Sequence, residues 1–248
     1  MVEHVCAPFI LIQNTVNQTY LYLRVYAVHL SASMITLHWL SGTEVPGATM
    51  AGLDRVLPNE PGVPKETRAA FANKAHADLS QFLQARTQEL VPGGEGVYLM
   101  VGGDGPNDWR DKDGASLFTH ALRKTVNKGL IPASVLEDAQ INYYLRTEEE
   151  IRRTASEVEG LDVLDIKSYT IHTGVNVPDQ DAAQVCADLA WSVHVNSLRD
   201  STGCSEAELD AIYNELVSVC KRWGFFFGTF TRRPKATYAM LAVRKHDE

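Results

Sequence analysis

Nothing in these 248 residues is apolar for long enough to cross a bilayer, which takes about 20 consecutive apolar residues. The amino-terminal run from Val5 to Ile12 ends at Gln13-Asn14, has no basic region before it, and carries no small-residue cleavage site. It therefore reads neither as a membrane span nor as a secretory signal, and the expected location is cytoplasmic, with no membrane partner. Positive charge is also scarce: 23 Lys and Arg stand against 31 Asp and Glu, a formal net charge of -8. Binding to a phosphate backbone needs clustered cations, so no nucleic-acid partner is expected. Arg232-Arg233-Pro234-Lys235 is too short to supply such a patch and reads as a polar turn. The four cysteines, Cys6, Cys186, Cys204 and Cys220, form no C-x-x-C and no zinc spacing. They are expected to be reduced thiols of an intracellular protein. There is no P-loop, no G-x-S-x-G elbow and no H-E-x-x-H. Gly102-Gly103-Asp104-Gly105 follows a strand but has no helix directly behind it, so it reads as a flexible connection rather than a phosphate cradle.

What is present is an alternation of helical and extended periods. Tyr20 to Leu30 is rich in aromatic and β-branched residues and predicts a buried strand, with Phe9 to Ile12 able to form a hairpin beside it. Ser31 to Leu40 follows as a loop, and the Gly- and Pro-rich stretch from Gly42 to Lys65 reads as surface loop. Phe71, Ala75, Leu79, Phe82 and Leu90 recur near a period of 3.6 and predict a helix over Glu66 to Leu90, stopped by Val91-Pro92-Gly93-Gly94. Gly96 to Val101 predicts a short buried strand. Ala115 to Lys128 predicts a second helix. A third is capped by Thr147, with Glu148 to Glu150 in its first turn. Leu161 to Ile171 alternates as a strand. Asp179 to Arg199 and Ser205 to Trp223 predict two more helices, the second opening with an S-x-x-E capping box. Phe225 to Thr231 and Tyr238 to Arg244 read as two strands around the Arg-Arg-Pro-Lys turn. The pattern implies one domain with an open α/β sheet, carrying helical cap segments around residues 115–158 and 179–223.

Four stretches, in order along the chain, resemble one family. Leu37-His38-Trp39-Leu40-Ser41 is similar to the S-x-H-W-L-S block of the SABATH enzymes, which methylate carboxylic acids and some ring nitrogens using S-adenosylmethionine. Leu79 to Leu90 with Gly93-Gly94 resembles that family's D-x-x-x-F-L-x-x-R-x-x-E-L helix and its glycine turn. Leu130-Ile131 with Leu136-Glu137, and Tyr143 through Ile151, resemble its E-G-L-I … L-D and P-x-Y-x-R-T-x-E-E stretches. The resemblance implies a class I methyltransferase sheet, Rossmann-like and mostly parallel, of order 3-2-1-4-5-7-6 with strand 7 antiparallel. Val25 to Leu30 would be strand 4, Val97 to Val101 strand 5, Leu161 to Ile171 strand 6 and Tyr238 to Arg244 strand 7. Strands 1 to 3, with the glycine-rich loop and ribose-binding acid that the family places there, find no counterpart before Val25.

By the same resemblance, His38 and Trp39 would line the pocket of a small-molecule carboxylate. Trp39 would pack on its apolar body, and His38 would offer a hydrogen or partial positive charge to the carboxylate. Trp191 would close the roof. Ser31 and Ser33 would lie near the adenine of S-adenosylmethionine. Glu137 and Gln140, with Asn59 a loose third, would match a metal-associated cluster of some family members, for which magnesium is the candidate ion. No catalytic acid or base is implied, since a carboxylate is already ionised near pH 7. The alternative is a degenerate, non-catalytic methyltransferase domain that binds a small molecule or pairs with a partner, and a homodimer through the cap or a sheet edge stays open.

Overall fold

The computed structural model describes residues 28–34, 37–42, 45–104, 114–172, 178–226, 229–230 and 235–247. The expected hairpin at Phe9 to Ile12, most of the expected strand from Tyr20, and Cys6 lie outside them. In chain order the elements are β1 (Val28–Met34), α1 (Lys65–Glu89), β2 (Leu90–Val101), α2 (Leu117–Asn127), α3 (Ala133–Asp138), α4 (Glu148–Ser156), β3 (Leu161–His172), α5 (Asp179–Thr202), α6 (Glu206–Gly224), the short β4 (Phe225–Phe226) and β5 (Thr229–Phe230), and β6 (Lys235–Lys245).

Four strands form one sheet in the order β1-β2-β6-β3, with β1 parallel to β2 and β6 antiparallel to both of its neighbours. That is the 4-5-7-6 part of the expected order. The first strand runs past its expected end at Leu30. Residues 28–34 carry it, so Ser31 and Ser33 sit within β1, opposite Gly96 and Tyr98, and not in a loop after it. The carboxyl-terminal strands also differ from expectation. Phe225 to Thr231 does not flank Tyr238 to Arg244; β4 and β5 pair with each other, while β6 lies inside the sheet. The reason is burial: Ala239, Leu241 and Val243 are at most 1% exposed, which an outer strand would not require.

Helix α1 ends one residue earlier than expected, at Glu89, and the chain turns directly into β2. Pro92, Gly93 and Gly94 do not stop the helix; they form a bulge in which Val28 faces Leu90 but Leu30 faces Glu95. Gly94 is required there, because a Cβ would sit 2.9 Å from the Val91 carbonyl oxygen and 3.1 Å from that of Val28. Along α1 the buried stripe serves two cores. Phe71 and Ala75 pack with Leu40, Val45, Met50, Val63 and Tyr144, and Leu79 and Leu83 pack on the sheet with Tyr98, Met100, Leu241 and Val243.

The described residues between Gly42 and Lys65 form no helix or strand, but they are not a surface loop. Val45, Met50, Val56, Leu57 and Val63 are buried beneath α1 and α2. Glu60, 1% exposed, takes the Ser116 backbone N–H at 2.9 Å and the Thr119 hydroxyl at 2.8 Å. A buried carboxylate tolerates desolvation only when its oxygens are so supplied.

Helices α2, α3, α5 and α6 share one further core, from Phe118 and Leu122 through Val135 and Ala183 to Ile212 and Trp223. This is the cap. Helix α4 packs on the sheet instead, where Ile151 and Ala155 meet Leu161 and Ile166. Thr147 and Glu150 form the capping box of α4, and Ser205 and Glu208 exchange the equivalent bonds before α6. Cys186, Cys204 and Cys220 are buried, and burial pushes the Cys220 thiol up to about 12. No described helix is long and apolar enough to cross a membrane.

Candidate active site

In an open α/β sheet, ligands bind beyond the carboxyl ends of the parallel strands. Here that end is crossed by the segment running from Ala139 to Arg146. Leu40 N–H donates to the Asn142 carbonyl at 3.0 Å, and Tyr144 N–H donates to that of His38 at 2.9 Å, so the turn after β1 is stitched to this segment. On the other side Gly103 N–H donates to the Arg146 carbonyl at 2.6 Å, just past β2. Gly102 has φ +140°, and a Cβ there would lie 2.7 Å from the Arg146 carbonyl oxygen, so the crossing requires glycine at this point.

Three charged residues fix the turn. Asp78 on α1 accepts the Ser41 backbone N–H at 2.8 Å and the Ser41 hydroxyl at 2.7 Å, while Lys74 donates to Asp78 at 2.6 Å. Arg146 is 2% exposed and donates to the carbonyls of Ala75, at 2.6 Å and 3.2 Å, and of Leu37. Burial lowers its pKa to about 10, against the opposing pull of Asp78 and Glu150, so it stays charged at neutral pH. It ties α1, the turn and the crossing segment together.

This frame gathers a chain of rings. His38 lies 5.3 Å from Trp39 and 6.1 Å from Tyr143, and Trp39 is 5.9 Å from Tyr143. Tyr143 is 5.7 Å from His194 on α5, and His194 is 4.9 Å from Phe118 on α2. Phe118 then meets Trp191, at 6.2 Å, and Trp191 meets Tyr213 on α6, at 5.4 Å. His38, Trp39 and Trp191, singled out from the sequence, thus lie along one aromatic wall contributed by the turn after β1, the crossing segment and the cap.

The electrostatics of His38 differ from expectation. It is 5% exposed, and burial first, then the nearby Arg146 and His194, lowers its pKa to about 3. It carries no positive charge at neutral pH, so any help it gives an anion is a hydrogen bond and not a charge. Its buried Nδ1 has no hydrogen-bond partner among the described residues. Burial likewise lowers His194 to about 4.

The serines and the metal candidates are elsewhere. Ser31 lies within β1 opposite Gly96, and the ring of Tyr98 on β2 packs edge-on against Phe82 of α1 at 5.0 Å. Ser33 is one residue from the end of β1. Glu137 is exposed on α3, and the Gln140 amide donates to Asn142 at 2.6 Å. Asn59 accepts the Leu145 N–H at 3.0 Å. Among the described residues no three His, Cys, Asp or Glu converge as a metal site. This donor set does not fit magnesium: Glu137 is exposed, while Gln140 and Asn59 are spent on Asn142 and the Leu145 N–H. Tyr143, Phe118 and His194 were missed from the sequence. Trp191 and His194 lie three apart on a helix and so share a face, which is the signal that could have found His194.

Comparison with known proteins bears on the whole assembly. The profile of the SAM-dependent carboxyl methyltransferase family matches residues 21–209. The chain is 35% identical over 120 residues to O-methyltransferase acrG of Aspergillus aculeatus, covering 45% of this chain and 32% of that protein. It is 30% identical over 156 residues to a probable 7-methylxanthine methyltransferase 5 of Theobroma cacao, covering 60% and 42%. To the salicylate/benzoate carboxyl methyltransferase of Arabidopsis thaliana it is 24% identical over 158 residues, covering 62% and 41%. The matches thus span less than half the length of these relatives. In structure, a loganic acid methyltransferase with SAH superposes with a TM-score of 0.70 at 20% identity, over 89% of this chain and 62% of that one, which shows a shared fold. With its sheet order and a family match across most of its length, the chain belongs to the SAM-dependent carboxyl methyltransferase family.

Proposed function

We propose that the protein acts in methyl transfer from S-adenosylmethionine to the carboxylate of a small organic acid, with this chain supplying the acceptor side of the site. The observation that carries the reading is the aromatic wall at the carboxyl ends of β1 and β2, with the buried, uncharged His38 and its unpartnered Nδ1 beside Trp39. Flat aromatic faces suit the apolar body of an organic acid. A neutral imidazole N–H and an indole N–H suit its oxygens.

S-adenosylmethionine supplies an electrophilic methyl group when bound. Of the two serines expected near it, Ser33 is the better placed, because it lies nearer the carboxyl end of β1. In the transfer one carboxylate oxygen forms the new O–CH3 bond as the C–S bond breaks, and the electron pair stays on sulfur. No proton moves. The protein's contribution is to hold the carboxylate in line and exclude water, and the rigid turn fixed by Asp78 and Arg146 serves that purpose.

The test is to incubate the purified protein with methyl-labelled S-adenosylmethionine and a panel of small carboxylic acids, and to identify the labelled product. A methyl ester is expected, with Trp39→Ala lowering kcat/KM by about ten- to a hundred-fold through lost orientation. Label found only on nitrogen or on a phenol would overturn the carboxylate reading. No labelled product from a well-folded protein would favour the non-catalytic alternative.

A further inference from the structure

The imidazole of His194 is held in one tautomer. Its Nδ1 lies 2.7 Å from the carbonyl oxygen of Ala190, one turn back along α5. A carbonyl only accepts, so Nδ1 carries the hydrogen and Nε2 keeps a bare lone pair. No hydrogen bond to Nε2 is made among the described residues. With Nδ1 turned toward its own helix backbone, Nε2 on the far side of the ring faces away from α5. The ring itself is flanked by Phe118 at 4.9 Å and Tyr143 at 5.7 Å. Burial, which lowers its pKa to about 4, keeps the lone pair free of a proton at neutral pH.

The two histidines therefore offer opposite things. An Nε2 lone pair repels a carboxylate oxygen, so the carboxylate belongs at the His38 and Trp39 end of the wall. What belongs at His194 is a hydrogen-bond donor. Each imidazole lies near the same Tyr143 ring, His38 at 6.1 Å and His194 at 5.7 Å, so their separation is at most the sum of these. A molecule of one or two rings is the largest that this limit admits between them.

We infer that His194 is a specificity-determining residue, and that the substrate is a flat carboxylic acid carrying a hydroxyl or N–H donor on the end remote from its carboxylate. The inference rests on the carboxylate reading above and goes further by fixing the chemistry of the opposite end. A site built to accept a hydrogen bond leaves its acceptor unpaired against the analogue that lacks the donor, and discriminates on that ground.

The test is calorimetric titration of the whole protein, saturated with S-adenosylhomocysteine, with cinnamate and with 4-hydroxycinnamate. The same pair is titrated into His194→Phe and His194→Gln, with melting curves confirming that each variant is folded. The native protein is expected to bind 4-hydroxycinnamate about ten-fold more tightly, the worth of one buried neutral hydrogen bond. His194→Phe should lose the preference, whatever its affinity for cinnamate, whereas His194→Gln, which retains an acceptor oxygen, should keep part of it. Equal affinity of the native protein for both acids, or a preference that survives His194→Phe, overturns the inference and leaves the carboxylate reading standing. Should His194→Phe not fold, a full preference retained or wholly lost in His194→Gln counts against it. Failure of both acids to bind sinks the carboxylate reading and this inference together.

Discussion

An imidazole withdrawn from water has little reason to hold a proton, and two such rings leave a mark on the stability of the protein. Burial, Arg146 and His194 lower His38 to about 3, and burial lowers His194 to about 4, against about 6.5 for a free imidazole. Between these values the unfolded chain takes up protons that the folded one refuses. Stability is therefore complete above about pH 6.5 and falls as the pH drops toward 4, by up to about 1.4 kcal/mol per pH unit for each ring. The melting temperature is expected to fall from pH 7 to pH 5, and His38→Phe should flatten that fall. An unchanged slope in the variant would mean that His38 takes up its proton as readily in the folded protein as in the unfolded chain. His38 and Trp39 were legible in the sequence because they belong to one short local stretch. The neutral state of His38 was not, since it follows from Arg146 and His194, which lie far along the chain and meet it only in the fold. Tyr143 stood in a recognised stretch, yet nothing local says that its ring faces His38 and His194.

The elements that were easiest to read are those whose ends carry their own hydrogen-bonding chemistry. Thr147 with Glu150 and Ser205 with Glu208 mark helix starts in the sequence, and both pairs close as capping interactions. The segment from residue 42 to 65 misled because Gly and Pro signal irregular backbone and say nothing about depth. Irregular backbone can be buried where side chains such as Glu60 and Asn59 satisfy neighbouring donors. Strand β1 misled for a different reason. Ser31, Ala32 and Ser33 carry little strand signal of their own, and they lie in a strand because they pair with β2. The element most exposed to a single change is the crossing segment from Ala139 to Arg146. Arg146→Met removes the donors to the Ala75 and Leu37 carbonyls and leaves those groups buried. The expected loss is about 3 kcal/mol or more, measurable by denaturant unfolding, with weaker carboxylate binding as the turn loosens. A loss below about 1 kcal/mol would show that Arg146 is a bystander.

At the scale of the molecule, two layers divide the work. The sheet with α1 and α4 forms the platform, and α2, α3, α5 and α6 form a cap whose core is separate from it. The aromatic wall lies where they meet: Trp39 and Tyr143 come from the platform's rim, and Phe118, Trp191 and His194 from the cap. This is why the order of elements could be read from the sequence while the composition of the wall could not. Element order is a matter of local periodicity, but the wall exists only after four distant segments have packed. The central claim is that this wall receives the carboxylate. It is tested most directly by calorimetric titration of the native protein and of Trp39→Ala with benzoate, in the presence of S-adenosylhomocysteine. Saturable binding by the native protein, weakened at least about ten-fold in a folded Trp39→Ala, is the predicted result. Benzoate that binds both proteins equally would place the acceptor site elsewhere and contradict the account.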